Sequence, residues 1–271
     1  MSIRILFNFR KNPMKKFLLA FALLFLSLQI FAQGVFEKKS FVNEAGQSLS
    51  YQILYPVNYD PSIKYPVVLV LHGAGERGDD NVAQMKYGTQ VFLNPENQQK
   101  FPAIVIFPQC PKDSYWSSVK IDRTQKPTEF IFDYSQNINW PLQSAVDLVK
   151  SLVKTKVADK KRLYIMGLSM GGMGTMEAVS RNPKMFAAAI PICGGADLTY
   201  VKKYAKKLPL WVNHGDADSV VPVKHSRELV AALQDAGANV TYTEYPGVNH
   251  NSWDNTFAQP TLLSWFFSFK K

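Results

Sequence analysis

Ser169 stands in Gly167-Leu168-Ser169-Met170-Gly171, directly after the apolar run Arg162-Leu163-Tyr164-Ile165-Met166. A serine hydroxyl is a poor nucleophile at neutral pH. It needs a base within hydrogen-bond reach, and that base needs a third group to orient it. Gly-x-Ser-x-Gly at the carboxyl end of a buried strand is the pattern of a strand-turn-helix nucleophile elbow. Glycine at 167 and 171 lets strand and helix pass close together, and the tight turn holds Ser169 in a strained conformation with its Oγ pushed out of the sheet. The motif alone is common by chance, so its partners decide its meaning.

The chain has four histidines, which makes the search for a base exhaustive. His72 follows an early strand, His214 ends a later one and His225 falls inside a predicted helix. His250 stands in the loop Gly247-Val248-Asn249-His250-Asn251-Ser252-Trp253. Elbow sites of this kind run in the order serine, acid, histidine. Only His225 and His250 then qualify, and the loop position favours His250. By order the acid can be Asp197, Asp216, Asp218, Asp235 or a glutamate. Glu177, Glu228 and Asp235 fall on predicted helices and Glu244 in a strand, which points to the loop acids after the penultimate strand. Asp218 precedes Val220-Val221-Pro222, with Asp216 as its rival. An aspartate so near a strand end also suits turn shaping.

Other side chains carry weaker signals. Trp116 and Trp253 are candidates to stack on an aromatic acyl group or a sugar, with plain packing as the alternative. His72 and His214 are read as ties between loops, and Glu76 and Arg77 as an ion pair. The histidines show no metal-ligand spacing, and no cofactor motif is present.

These residues have to be positioned by regular elements. Residues 35–42 and 48–55 alternate around Asn43-Glu44-Ala45-Gly46 and predict an antiparallel hairpin. Residues 65–71 are a continuous apolar run, as in a strand covered on both faces. Strands at 103–107, 162–166, 187–192, 208–213 and 240–245 alternate with helices near 81–93, 141–154, after Ser169, at 222–236 and at the carboxyl end. The pattern predicts an α/β fold with a mostly parallel sheet. Ligands bind at the carboxyl ends of such strands, where every motif above falls. Residues 112–139, rich in aromatic residues and without a clear period, are expected to lie over the site.

Hydrophobic residues at 46% and charged residues at 19% of 271 fit one globular domain with a sizeable core. The net charge of +10 falls to +5 when residues 1–32, with five basic groups and no acids, are set aside. Nucleic-acid binding is therefore not expected. Lys15-Lys16, the apolar residues 17–31 and Ala32-Gln33-Gly34 read as a secretory signal peptide, with Met14 as an alternative start. The apolar run is too short for a membrane span of about 20 residues. Residues 33–271 would then be a single exported domain, periplasmic or extracellular, without a membrane span. Cys110 and Cys193 both lie in it, and their pairing stays open.

Four stretches together resemble the α/β-hydrolase superfamily: His72-Gly73-Ala74-Gly75-Glu76-Arg77-Gly78, Gly167-Leu168-Ser169-Met170-Gly171-Gly172, His214-Gly215-Asp216-Ala217-Asp218-Ser219-Val220-Val221-Pro222, and Gly247-x-x-His250-x-x-Trp253. More closely they are similar to its secreted esterase or "predicted peptidase" branch, related to dienelactone hydrolases and to feruloyl esterase and polyhydroxybutyrate depolymerase families. The resemblance spans about residues 35–271. It implies an α/β-hydrolase fold and Asp218 as the acid, through the His-Gly-x-x-Asp-x-x-Val-Pro pattern. It also implies a Ser169, Asp218, His250 triad and an oxyanion hole from the backbone N–H groups of Met170 and Ala74. Serine in place of cysteine at 169 departs from dienelactone hydrolases proper. The activity expected is that of a serine carboxylesterase on a small-molecule or polysaccharide-linked ester, such as acetyl or feruloyl esters of plant polysaccharide. A serine peptidase of the prolyl-oligopeptidase type and an inactive hydrolase-fold binding module are the alternatives.

Overall fold

In a computed structural model of the chain the described residues are 34–271, and the expected leader lies outside them. Strand β3 (Tyr65–Leu71) shows why the middle of the chain folds as it does. All seven of its residues are buried. Side chains alternate across a strand, so Val67, Leu69 and Leu71 enter one core while Val68 and Val70 enter another on the opposite face. A strand apolar on both sides has to be covered on both sides.

The sheet that results has eight strands. They are β1 (Glu37–Val42), β2 (Ser48–Leu54), β3, β4 (Ile104–Pro108), β7 (Ala158–Leu168), β8 (Ala188–Ile192), β9 (Leu210–Gly215) and β10 (Val240–Tyr245), in the spatial order β1-β2-β4-β3-β7-β8-β9-β10. β1 pairs antiparallel with β2, and β2 with β4. Every other pairing is parallel. Two short helices, α1 (Thr89–Leu93) and α2 (Pro95–Lys100), precede β4. Helix α3 (Trp140–Lys154) buries Leu142, Ala145, Val146 and Val149 on one face, while its other face carries Asp147, Lys150 and Lys154. Helix α4 (Met170–Arg181) follows the elbow, and α5 (Lys224–Asp235) follows β9. The chain closes with α6 (Ser252–Phe257) and α7 (Leu262–Phe267), whose Leu262, Leu263 and Phe266 fill the second core. This is the α/β-hydrolase fold expected from the sequence.

Local differences from the sequence reading have physical causes. The helix expected over 81–93 is interrupted at Gly88, which adopts φ +82°, so it is reduced to a 3-10 turn at Ala83–Met85 and to α1, and Pro95 starts α2 afresh. The stretch 112–139 is not irregular throughout. Val119–Asp122 (β5) and Glu129–Phe132 (β6) form a separate antiparallel hairpin. Each of its strands has four residues, too short to show a period in sequence. The hairpin is moored to the elbow helix by the buried carboxylate of Glu177, which accepts from Ser117 Oγ at 3.0 Å, Ser118 Oγ at 2.9 Å and the Ser118 N–H. Arg181 Nε pairs with the same carboxylate at 2.7 Å.

At the elbow the backbones meet with no room for side chains. A Cβ on Gly171 would lie 2.0 Å from the Leu71 carbonyl oxygen, and one on Gly167 would lie 2.3 Å from that of Gly171. Only glycine at both positions lets α4 leave β7 beside β3.

Candidate active site

Ser169 sits where that constraint is tightest. Its φ is +53° and its ψ −117°, a strained conformation for a residue with a side chain. Its N–H donates to the Ile192 carbonyl at 2.8 Å, which locks the turn onto β8. Oγ is thereby held 2.9 Å from His250 Nε2. The other ring nitrogen, Nδ1, lies 2.8 Å from Asp218 Oδ2. Nδ1 faces a carboxylate, so it carries the proton, and Nε2 is left to accept from the serine hydroxyl. The geometry can draw a proton from Ser169 and hold the imidazolium that results.

Asp218 is well prepared for this. Its side chain is closed to solvent. Oδ1 accepts from the N–H groups of Val220 and Val221, each at 2.9 Å. Oδ2 faces His250 and also His214 Nε2, at 3.2 Å. Burial pushes its pKa up, but the hydrogen bonds from His214 and His250 outweigh burial and hold the carboxyl well below the usual carboxylate range. Asn249 ties the two loops together. Its Oδ1 accepts from the His250 N–H at 2.7 Å and from Ser219 N–H at 2.9 Å. Asp216, the rival acid, turns outward and accepts from the Gly247 N–H at 2.6 Å, the turn-shaping role open to it. His225, the rival base, sits edge-on to Phe130 and Phe132 with ring centroids at 5.6 and 5.8 Å.

Two backbone N–H groups flank the serine. Met170 is the first residue of α4, so its N–H has no helical acceptor one turn back and lies at the positive end of the helix. Ala74 begins a single 3-10 turn (Ala74–Glu76) and lines the same cleft as Ser169. The loop around it is braced from every side. His72 Nδ1 lies 2.6 Å from the Gly73 carbonyl, and His72 Nε2 accepts from the Cys110 N–H at 2.9 Å. That acceptance fixes the proton on Nδ1, and burial pushes the ring's pKa down to about 4. Arg77 donates from Nε to the Ala74 carbonyl at 3.0 Å and from Nη1 to the Ser114 carbonyl at 3.1 Å. The expected Glu76–Arg77 ion pair is therefore not the brace. Among the described residues Arg77 is spent on carbonyls. Glu76 is buried at the cleft, and burial raises its carboxyl pKa.

The cleft holds about 250 Å³ and is walled by Tyr87, Tyr115, Phe130, Val221 and Trp253, with Arg123 and Glu76 as its charged groups. Arg123 follows directly on β5, and Phe130 comes from β6. Trp253 stands against His250 with ring centroids 5.3 Å apart. Trp116 is a correction. It is wholly buried behind His72, ring centroids 5.3 Å apart, and would crowd any Cβ on Gly174, so it packs the elbow helix and does not line the cleft. Tyr87 escaped the sequence reading because it lies in an irregular loop and reaches the cleft only by packing on Trp253, at 5.2 Å. Cys193 Sγ lies within 4.8 Å of donor atoms of Asp218 and His250, a donor set that could hold a metal ion. The two partners already bond each other, and burial pushes the Cys193 thiol far up, so it holds its proton.

Fold and site together set a serine, a histidine and an aspartate in one hydrogen-bonded line on an α/β-hydrolase scaffold. The chain belongs to the phospholipase/carboxylesterase family, which matches residues 60–260. It is 37% identical to a thermostable esterase of known structure, with a TM-score of 0.78, over 89% of this chain and 64% of that one. An uncharacterized secreted protein of Arthroderma benhamiae is 25% identical over 76% of this chain and 24% of its own length. The "Probable carboxylesterase SOBER1-like" of Arabidopsis thaliana is 26% identical over 68% and 72%. The chain thus spans about a quarter of the Arthroderma protein and under two thirds of the thermostable esterase.

Proposed function

We propose that the chain is a serine carboxylesterase. The observation that carries this reading is the unbroken line from Asp218 to His250 to Ser169, at 2.8 and 2.9 Å, ending at a cleft that Ala74 lines and beside which α4 begins at Met170. Ser169 Oγ attacks the ester carbonyl while His250 Nε2 takes its proton. The C–O bond to the alcohol then breaks, and the same proton leaves with the alcohol. Water, deprotonated in turn by His250, splits the acyl-enzyme and restores Ser169. The N–H groups of Met170 and Ala74 stabilise the oxyanion, each worth roughly 3 kcal/mol of barrier. Four aromatic rings around a small cleft favour short or planar acyl groups, such as the acetyl and feruloyl esters of plant polysaccharide. Residues 1–32 act as an export signal, which leaves residues 33–271 as one catalytic domain.

A substrate panel tests the reading: p-nitrophenyl acetate, methyl ferulate, acetylated xylan and a peptide amide, with wild type and Ser169→Ala. Ester turnover should fall by 10⁴-fold or more in the variant, in line with loss of a triad member. Turnover that survives the substitution sinks the nucleophile assignment. Cleavage of the amide ahead of every ester would transfer the reading to the peptidases.

A further inference from the structure

His214 remains unused by the reaction as written, yet its surroundings are as specific as those of the triad. It is fully buried at the end of β9. Nδ1 lies 2.7 Å from Ser226 Oγ on α5. Nε2 lies 2.9 Å from the Val221 carbonyl and 3.2 Å from Asp218 Oδ2. Both neighbours of Nε2 are acceptors, so that nitrogen carries a hydrogen whatever the charge of the ring. The Ser226 hydroxyl can give its hydrogen to Nδ1, which makes this tautomer the one the site selects.

We infer that His214 is a positioning residue that holds Asp218 Oδ2 in line with His250. This rests on the triad proposed above. The carboxylate then has four donor groups around it: the N–H groups of Val220 and Val221 on Oδ1, His250 on Oδ2, and His214 Nε2, whose one hydrogen is shared between the Val221 carbonyl at 2.9 Å and Oδ2 at 3.2 Å. Four is the full complement of a carboxylate. The two N–H groups on Oδ1 come from one loop and fix only that oxygen. Rotation about the Cβ–Cγ bond is opposed by a bond to Oδ2, and His250 cannot supply it dependably. Its imidazole sits on an exposed-edge loop and must shift its own partners during turnover, whereas His214 is clamped between a strand and a helix. His214 Nε2 faces the atom that His250 uses, at 3.2 Å, so it sets the direction from which His250 is held. Its link to Val221 also pins the peptide next to one of the Oδ1 donors, and Val221 lines the cleft. The His-x-x-x-Asp spacing brings both to one turn because residues 215–217 fold the chain back: Asp218 N–H bonds the Gly215 carbonyl at 3.3 Å.

A double-mutant cycle with p-nitrophenyl acetate tests this. His214→Phe keeps the ring and removes the donor, His214→Gln restores a donor on a flexible stem, and Ser226→Ala removes the anchor of Nδ1 and frees the ring to turn away from Oδ2. Each is made alone and with Asp218→Asn, and kcat and KM are read on protein with a native circular dichroism spectrum. The expected result is a loss of about tenfold or more in kcat for His214→Phe, with KM within twofold, partial recovery in His214→Gln, and a smaller loss in Ser226→Ala. In the Asp218→Asn background these substitutions should cost nothing further, because a residue acting through Asp218 has nothing left to position. Losses that multiply with Asp218→Asn would show a general packing role and overturn the inference, as would full kcat in folded His214→Phe. If His214→Phe does not fold, Ser226→Ala decides by the same criterion: coupling supports the inference, and full kcat or multiplying losses overturn it. Full activity of Asp218→Asn by itself would instead overturn the triad.

Discussion

His72 shows how a buried side chain makes the molecule sensitive to acid. Its folded-state pKa of about 4 lies below the ordinary 6.5 because burial disfavours the charged ring. A proton would also abolish acceptance from the Cys110 N–H. The unfolded chain takes the proton first as pH falls, so stability is complete above pH 6.5 and is lost between 6.5 and 4. The loss from His72 is about 3 kcal/mol. His225, lowered to about 4 by burial and by Lys224, adds to it in the same window. Urea midpoints measured from pH 7 to pH 4 should fall steeply in wild type and less steeply in His72→Gln. An equal slope in both would remove His72 from the account. The same residue braces the peptide that carries the Ala74 N–H, so His72→Gln should also lower kcat on p-nitrophenyl acetate while KM stays close to wild type.

The elbow and the hairpin make predictions as elements. A methyl group at Gly171 would meet the Leu71 carbonyl at 2.0 Å, and neither backbone can yield without opening β3 from α4. Gly171→Ala should therefore cost about 4 kcal/mol or more. Gly75, on the same face of the molecule, has nothing within 4 Å of an added Cβ, and Gly75→Ala should change stability by less than about 0.5 kcal/mol. Chemical denaturation of both variants checks the contrast. Glu177 is the mooring of β5–β6, and its loss leaves Ser117, Ser118 and Arg181 without their common acceptor. Glu177→Ala should cost about 3 kcal/mol. It should raise KM more than it lowers kcat, since the hairpin carries Phe130 and leads to Arg123 while the Ser169–His250–Asp218 line stays intact. A fall in kcat with KM unchanged would place the mooring's effect at the elbow instead.

At the scale of the whole molecule the cysteines and the proposed leader matter. Cys110 and Cys193 are both buried and both free, and burial pushes the Cys110 thiol up to about 12. A thiol reagent such as DTNB should label neither in the native protein and both in guanidinium, and reductant should leave the melting temperature unchanged. Labelling of native protein would mean that the sheet opens locally. If residues 1–32 are the export signal proposed above, N-terminal sequencing of secreted protein should begin at Gln33, and residues 33–271 expressed alone should retain the proposed esterase activity in full.

How much was legible in sequence follows from range. Strands β3, β7 and β8 declared themselves because a doubly covered strand needs an unbroken apolar run, which is a local property. The elbow did so because two glycines are the only solution to a close backbone crossing. Order along the chain narrowed the base to two histidines and the acid to a loop, and the motif pattern chose Asp218 over Asp216. What tertiary structure alone decided was direction. Asp216 and Asp218 are two residues apart, yet one faces Gly247 and the other His250. Trp116 and Trp253 are the same residue type, yet one fills the elbow helix and the other walls the cleft. The His-x-x-x-Asp spacing puts His214 and Asp218 on one turn, but which nitrogen of His214 faces Oδ2 depends on where α5 packs on β9, because Ser226 Oγ takes Nδ1. Composition and spacing specify which groups are available, and packing between distant segments decides which atoms face one another.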